Sequence, residues 1–276
     1  MSPAIRKEPE QWFRVHGRAG GAAGVRLVCF PHAGGTAHLF HNWSSLLPAH
    51  VELLAVRYPG RHDRLAEPCL TDMATLADAI TTALEPYAER PFALFGHSMG
   101  AAVAYEVALR LEGRGAVLRA LMVSAHAAPH RAERRRLAAA DDATLLAEVR
   151  TLGDYAAEVY DIPELRELVL PALRADYRLL EAYRPVRPQA VRAPVTAYAG
   201  SDDPGCSVEE VRTWAELAPT DGFTLRTFPG DHFYVAAREA EVVADVATRL
   251  HGAPAAVPGF TGAVPGGNRI RSASPM

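Results

Sequence analysis

Six short runs of apolar and β-branched residues punctuate the chain: "VRLVCFP" (25–31), "VELLAVRYPG" (51–60), "PFALFG" (91–96), "LRALMVSA" (118–125), "PVTAYAG" (194–200) and "FTLRTFPG" (223–230). Most stop at glycine or proline. Their length and near-continuous hydrophobicity predict strands buried on both faces. Between them, apolar residues recur at three-to-four spacing and predict helices over 76–88, 99–113, 208–218 and 241–250, with a further short helix near 40–48. The segment "MGAAVAYEVALRLEG" (99–113) has no internal proline and stops at Gly113. Strands alternating with helices predict an α/β fold built on a mostly parallel central sheet flanked by helices.

One stretch breaks the alternation. From Ala127 to Pro185 only helical patterns occur, among them "DATLLAEVRTL" and "ELRELVLPALRADYRLLEAY". A helical insertion there, about 127–185, is expected to lie over the C-terminal edge of the sheet as a lid or acyl chamber; the alternative is a packing subdomain with no role in access. The Gly- and Arg-rich residues before Val25 read as a loosely attached lead-in. Residues 252–276, rich in Gly, Pro and Ala, read as a disordered tail after a single domain over 1–251.

Composition narrows the function classes. Half the residues are hydrophobic (49%) and the formal net charge is −3, so neither nucleic acid nor an acidic membrane is an expected partner. No apolar run is long enough for a membrane span and no leader is evident, so a cytoplasmic protein is expected. Cys29, Cys69 and Cys206 are odd in number and widely spaced, which predicts reduced thiols. No interface stripe stands out, and a monomer is expected.

The chemistry centres on "GHSMG" (96–100). Gly-x-Ser-x-Gly alone is weak, since roughly 0.1 chance matches are expected in a chain of this length. Its setting after "PFALF" and before a helix is that of a nucleophile elbow, with Gly96 and Gly100 removing side chains from a sharp turn and Ser98 projecting above the sheet. A serine needs a base and an acid. His232 follows a strand and the turn "FPGD", where a base is expected, whereas His251 borders the tail and reads as solvated. Asp202 and Asp203 both follow the fifth run and either could orient the imidazole; Asp203, directly before proline, is preferred. For the oxyanion, one N–H is expected from Met99 and one from the loop "PHAGGT", with Ala33 the chosen donor. His32 reads as structural.

At this point the chain resembles the type II thioesterases of polyketide and nonribosomal peptide pathways. The blocks "CFPHAGGTAHLFHNW", "LLAVRYPGRHDRLAEP", "FALFGHSMGAAVAYEVA", "LPALRADYRLLEAY" and "FPGDHFYV" match that family in order, over about residues 26–250. The resemblance implies an α/β-hydrolase fold, catalytic Ser98, Asp203 and His232, an oxyanion hole at Ala33 and Met99, and a mobile helical lid. It also implies a substrate carried on the phosphopantetheine arm of an acyl or peptidyl carrier protein, and an editing role that clears aberrant acyl groups.

Competing readings are a product-releasing terminal thioesterase, a general carboxylesterase and a noncatalytic carrier-binding subunit. No cofactor is expected: HExxH, paired CxxC and EF-hand spacings are missing, and "GRAGGAAG" (17–24) precedes its strand rather than following it. The basic run "HRAERRR" (130–136) reads either as a contact for carrier protein or pantetheine phosphate, or as a solvated helical surface beside Asp141 and Asp142.

Overall fold

The computed structural model describes residues 9–17 and 24–250, apart from positions 134, 154, 156 and 186. His251 and the expected tail lie outside the described residues. Seven strands form one sheet: β1 (Phe13–His16), β2 (Val25–Phe30), β3 (Val51–Val56), β4 (Phe92–His97), β5 (Leu118–Ser124), β6 (Val195–Gly200) and β7 (Phe223–Phe228). Their spatial order is β1-β3-β2-β4-β5-β6-β7. β1 runs antiparallel to β3, and every other pairing is parallel.

β2, β4 and β6 are buried at every position, as their near-continuous apolar runs require, with Arg26, His97 and Thr196 the buried polar exceptions. Successive side chains alternate between two cores. Val28 and Phe30 of β2, Leu94 of β4 and Val123 of β5 pack under α2 (Met73–Leu84) and α3 (Met99–Gly113). Leu27, Cys29, Phe95 and Met122 face the other way, against Trp43 of α1 (Trp43–Leu46) and Val242, Val243 and Val246 of a long C-terminal helix. Asp72 caps α2 by accepting the Thr75 N–H at 2.7 Å, a bond worth about 1 kcal/mol, so the helix begins three residues before the apolar periodicity suggested.

Between β5 and β6 stand α4 (Asp142–Thr151) and α5 (Pro163–Ala182), which share a small core of Leu145, Leu146, Val149, Leu173 and Tyr177. After β6 come α6 (Val208–Arg212), which tightens into a 3₁₀ turn over Thr213–Leu217, then α7 (Tyr234–Ala237) and α8 (Glu239–Leu250).

The described part of the lead-in, residues 9–17, is packed against the sheet, which corrects the sequence reading for that stretch. Trp12 and Phe13 are buried, Phe13 to His16 pair with β3, and the Arg64 guanidinium stacks on Trp12 at 4.2 Å. A four-residue strand carries too little alternation to be legible beside a glycine-rich neighbour. Among the described residues no helix is long and apolar enough to cross a membrane.

Candidate active site

Ser98 stands between β4 and α3 at φ 54°, ψ −121°, a conformation that costs a non-glycine residue about 1–3 kcal/mol. Hydrogen bonds hold it there. Its N–H donates to the Ser124 carbonyl at 2.8 Å, and its own carbonyl accepts from Ala101 N–H at 2.9 Å. Close approach explains both flanking glycines: a Cβ on Gly96 would overlap the Gly100 carbonyl, and one on Gly100 would overlap the Phe30 carbonyl. Ser98 therefore sits at the N-terminus of a 15-residue helix whose dipole favours developing negative charge.

His232 follows β7 and is 4% exposed. Its Nδ1 lies 2.8 Å from Asp203 Oδ2, and its backbone N–H donates to the Leu152 carbonyl at the end of α4. Asp203 Oδ1 accepts from the N–H groups of Gly205 and Cys206 at 2.7 and 3.2 Å. Three donors thus converge on one buried carboxylate and fix its orientation toward the imidazole. Asp202 is exposed and its carboxylate accepts the Ser201 hydroxyl, so the geometry joins Asp203 rather than Asp202 to the imidazole.

Two cavities meet at Ser98. One, about 210 Å³, is walled by Val149, Val159, Tyr160, Val169, Leu173 and Phe233; the other, about 130 Å³, is lined by Glu133, Arg135, Glu181 and Glu210 among others. Ala33, Ser98, Leu152, Tyr177 and His232 border both. Met99 is buried at the first position of α3, where a helix N–H has no intrahelical acceptor. Ala33 lies in the loop after β2 and lines both cavities together with Ser98.

His97, beside the nucleophile, is fully buried, with Nδ1 2.9 Å from Ser124 Oγ, which in turn lies 2.5 Å from the Tyr234 hydroxyl. Burial, reinforced by His232 and His32, holds its imidazole well below the usual 6.5. Burial likewise lowers His32 to about 4, where its Nδ1–H donates to the Ala33 carbonyl and its ring packs edge-on against Phe233. Burial pushes the Cys29 and Cys206 thiols up, away from the nucleophilic thiolate. Among the described residues no group of three or more His, Cys, Asp or Glu could hold a metal ion.

The basic run departs from expectation. The described residues of 130–136 are not helical: Arg131 pairs with Glu216 at 2.9 Å, and Arg135 reaches Glu148 and the Gly205 carbonyl. Those partners lie on three separate elements that a continuous helix would not reach together. Asp142 pairs instead with Arg174 of α5.

A feature the sequence reading missed lies under the Ala33 loop. Arg61, just past β3, makes a two-pronged ion pair with Asp176 of α5 at 2.5 and 2.7 Å. The available signal was an acid on the apolar stripe of α5, between buried Leu173, Ala175 and Tyr177.

Comparison with known proteins agrees with this geometry. The thioesterase domain family matches residues 25–250. Thioesterase PikA5 of Streptomyces venezuelae is 44% identical over 250 residues, covering 88% of each chain. A probable cadicidin biosynthesis thioesterase of Streptomyces griseus is 42% identical over 249 residues, 89% of this chain and 68% of that one. The solved structure of BorB, the type II thioesterase from the borrelidin biosynthetic cluster, superposes with a TM-score of 0.79 at 40% identity, covering 87% of this chain and 98% of that one. The seven-stranded sheet, the serine elbow and these likenesses agree: the chain belongs to the thioesterase family, among the type II thioesterases associated with polyketide and nonribosomal peptide pathways, and is a thioester hydrolase.

Proposed function

We propose that the protein is an editing thioesterase, hydrolysing short acyl groups from the phosphopantetheine arm of carrier proteins and so clearing stalled assembly lines. One observation carries the reading. Ser98 and His232 border both cavities, one mainly apolar and one that mixes apolar residues with Glu133, Arg135, Glu181 and Glu210, while Asp203 holds the far side of the imidazole. The acyl chain occupies the apolar cavity and the pantetheine arm the mixed one. At about 210 Å³ the apolar cavity falls below the roughly 300–1,000 Å³ of pockets that bury drug-sized ligands, which favours a small acyl group over a mature product.

In this mechanism His232 Nε2 takes the proton of Ser98 Oγ as the oxygen attacks the thioester carbonyl. Asp203, accepting Nδ1–H, keeps the tautomer and stabilises the imidazolium. The N–H groups of Ala33 and Met99 receive the oxyanion. Collapse breaks the carbon–sulfur bond, and the thiolate, whose conjugate acid has a pKa near that of cysteine at about 8.5, leaves readily and takes the proton from His232, which returns to its neutral form. Water then attacks the Ser98 ester, giving its proton to His232, and a second collapse releases the carboxylic acid and returns that proton to Ser98 Oγ. Both steps use only the chain's own groups and water, so no cofactor enters the proposal.

The test is hydrolysis of a matched acyl series on carrier protein, from acetyl to a long chain, with Ser98→Ala as control. Preference for short groups, abolished in the variant, is expected. Preference for one mature chain, or a cyclised product, would replace editing with product release. Activity on oxygen esters alone would point to a carboxylesterase, and carrier binding without turnover to a noncatalytic subunit.

A further inference from the structure

The loop that carries Ala33 is gripped from outside at several backbone atoms. Tyr58 donates its hydroxyl to the Pro31 carbonyl at 3.3 Å. Within the loop, Gly35 N–H donates to the His32 carbonyl at 3.0 Å. Gly34, in the left-handed region at φ +72°, donates its N–H to Asp176 Oδ2 at 2.7 Å. Arg61 Nη1 donates to the Gly35 carbonyl at 3.4 Å while also bonding Asp176. The Arg61 guanidinium rests over the Tyr58 ring at 5.2 Å, which links these grips into one assembly.

The Arg61 and Asp176 side chains are 7% and 4% exposed. A buried ion pair is a weak device for stability, because well-packed apolar residues of similar volume serve as well or better. It does supply direction. One carboxylate receives the Arg61 fork and the Gly34 amide together, so the peptide next to Ala33 is set by two fixed charges. Asp176 belongs to α5, and Leu173, one turn earlier on that helix, packs against Gly34 and walls the apolar cavity.

We propose that Arg61 and Asp176 are a positioning pair that aims the Ala33 N–H at the oxyanion, tying the donor to the helix that walls the acyl cavity. This rests on the reading of Ala33 as an oxyanion donor. The pair touches no reacting atom; it acts through the 33–35 backbone, and its contribution falls on the tetrahedral states rather than on substrate binding.

The test compares wild type, Arg61→Met/Asp176→Leu and Arg61→Lys on an acyl pantetheine thioester, alongside thermal melts and inhibition by an acyl trifluoromethyl ketone, whose adduct with serine presents an oxyanion. The double variant replaces the pair with apolar residues and is expected to melt within about 4 °C of wild type. Its kcat is expected to fall about 100-fold, with KM within about threefold and ketone affinity falling in step with kcat. Arg61→Lys keeps the charge but loses the planar fork, and an intermediate loss of kcat is expected. A folded double variant with wild-type kcat and ketone affinity would overturn the proposal. Should that variant not fold, wild-type kcat in Arg61→Lys would overturn it instead. A wild-type enzyme that forms no ketone adduct on Ser98 would sink the functional reading itself, a different failure.

Discussion

His232 Nδ1 and Asp203 Oδ2 stand 2.8 Å apart, although the residues are 29 positions apart in the chain and follow different strands. Asp203→Asn removes the charge while leaving the shape. A loss of about 10⁴-fold in kcat is expected, with KM little changed, because the amide favours the wrong tautomer. Asp202→Asn is expected to stay within about threefold of wild type. Steady-state kinetics on an acyl thioester reads both, and equal losses would argue against Asp203 as the partner of His232.

Gly100 and Gly113 open and close the same helix with opposite expectations. A methyl group on Gly100 meets the Phe30 backbone, so Gly100→Ala is expected to destabilise the fold by about 3 kcal/mol or more. Nothing lies within 4 Å of a Cβ on Gly113, and Gly113→Ala is expected to add about 0.5–1 kcal/mol. Urea melts of the two variants measure the contrast directly.

Acid should weaken the fold through buried imidazoles before most carboxylates titrate. His97 binds a proton near 6.5 when unfolded but resists it when folded, because burial lowers it well below that value. Below pH 6.5 the unfolded chain therefore holds more protons, and stability falls with pH by up to about 1.4 kcal/mol per unit for this group. The contribution is complete above 6.5. His32 and His126, each lowered to about 4 by burial, act in the same direction between 6.5 and 4. Urea melts at pH 7.5, 6.5 and 5.5 should show a shallower decline for His97→Asn than for wild type; identical slopes would mean the folded chain protonates His97 freely.

Val169 walls the apolar cavity from α5. Val169→Trp adds volume to that wall and leaves the Ser98 and His232 side chains unaltered. Rates with the shortest acyl thioesters are expected to hold, while longer chains lose about tenfold or more in kcat/KM, the scale of rejecting a methylene or two. A uniform loss at every chain length would place the acyl group elsewhere.

The interior of the sheet was legible because β2 to β6 are mainly apolar runs broken by single polar residues such as Arg26, Glu52 and Arg119, a pattern that requires cover on both faces. Chain order and turn residues singled out Ser98, Asp203 and His232, and the fold brings all three to one place. What stayed hidden depended on distance. Arg61 and Asp176 meet across 115 positions, and no local spacing announces such a pair. The basic run 130–136 offered a carrier contact or a solvated helical surface, yet Arg131 and Arg135 find partners on segments whose positions only the fold decides.

β1 lies wholly outside the residues matched by the thioesterase family, which begin at 25. It covers the outer edge of β3, whose N–H and C=O groups would otherwise stand as an open template for another chain. A fragment trimmed to the family boundary would also strip Trp12 from beneath Arg64 and leave a hydrophobic groove beside that bare edge. Expression from residue 25 should therefore yield a protein that self-associates, which places the working boundary of the folding unit upstream of the one that similarity marks.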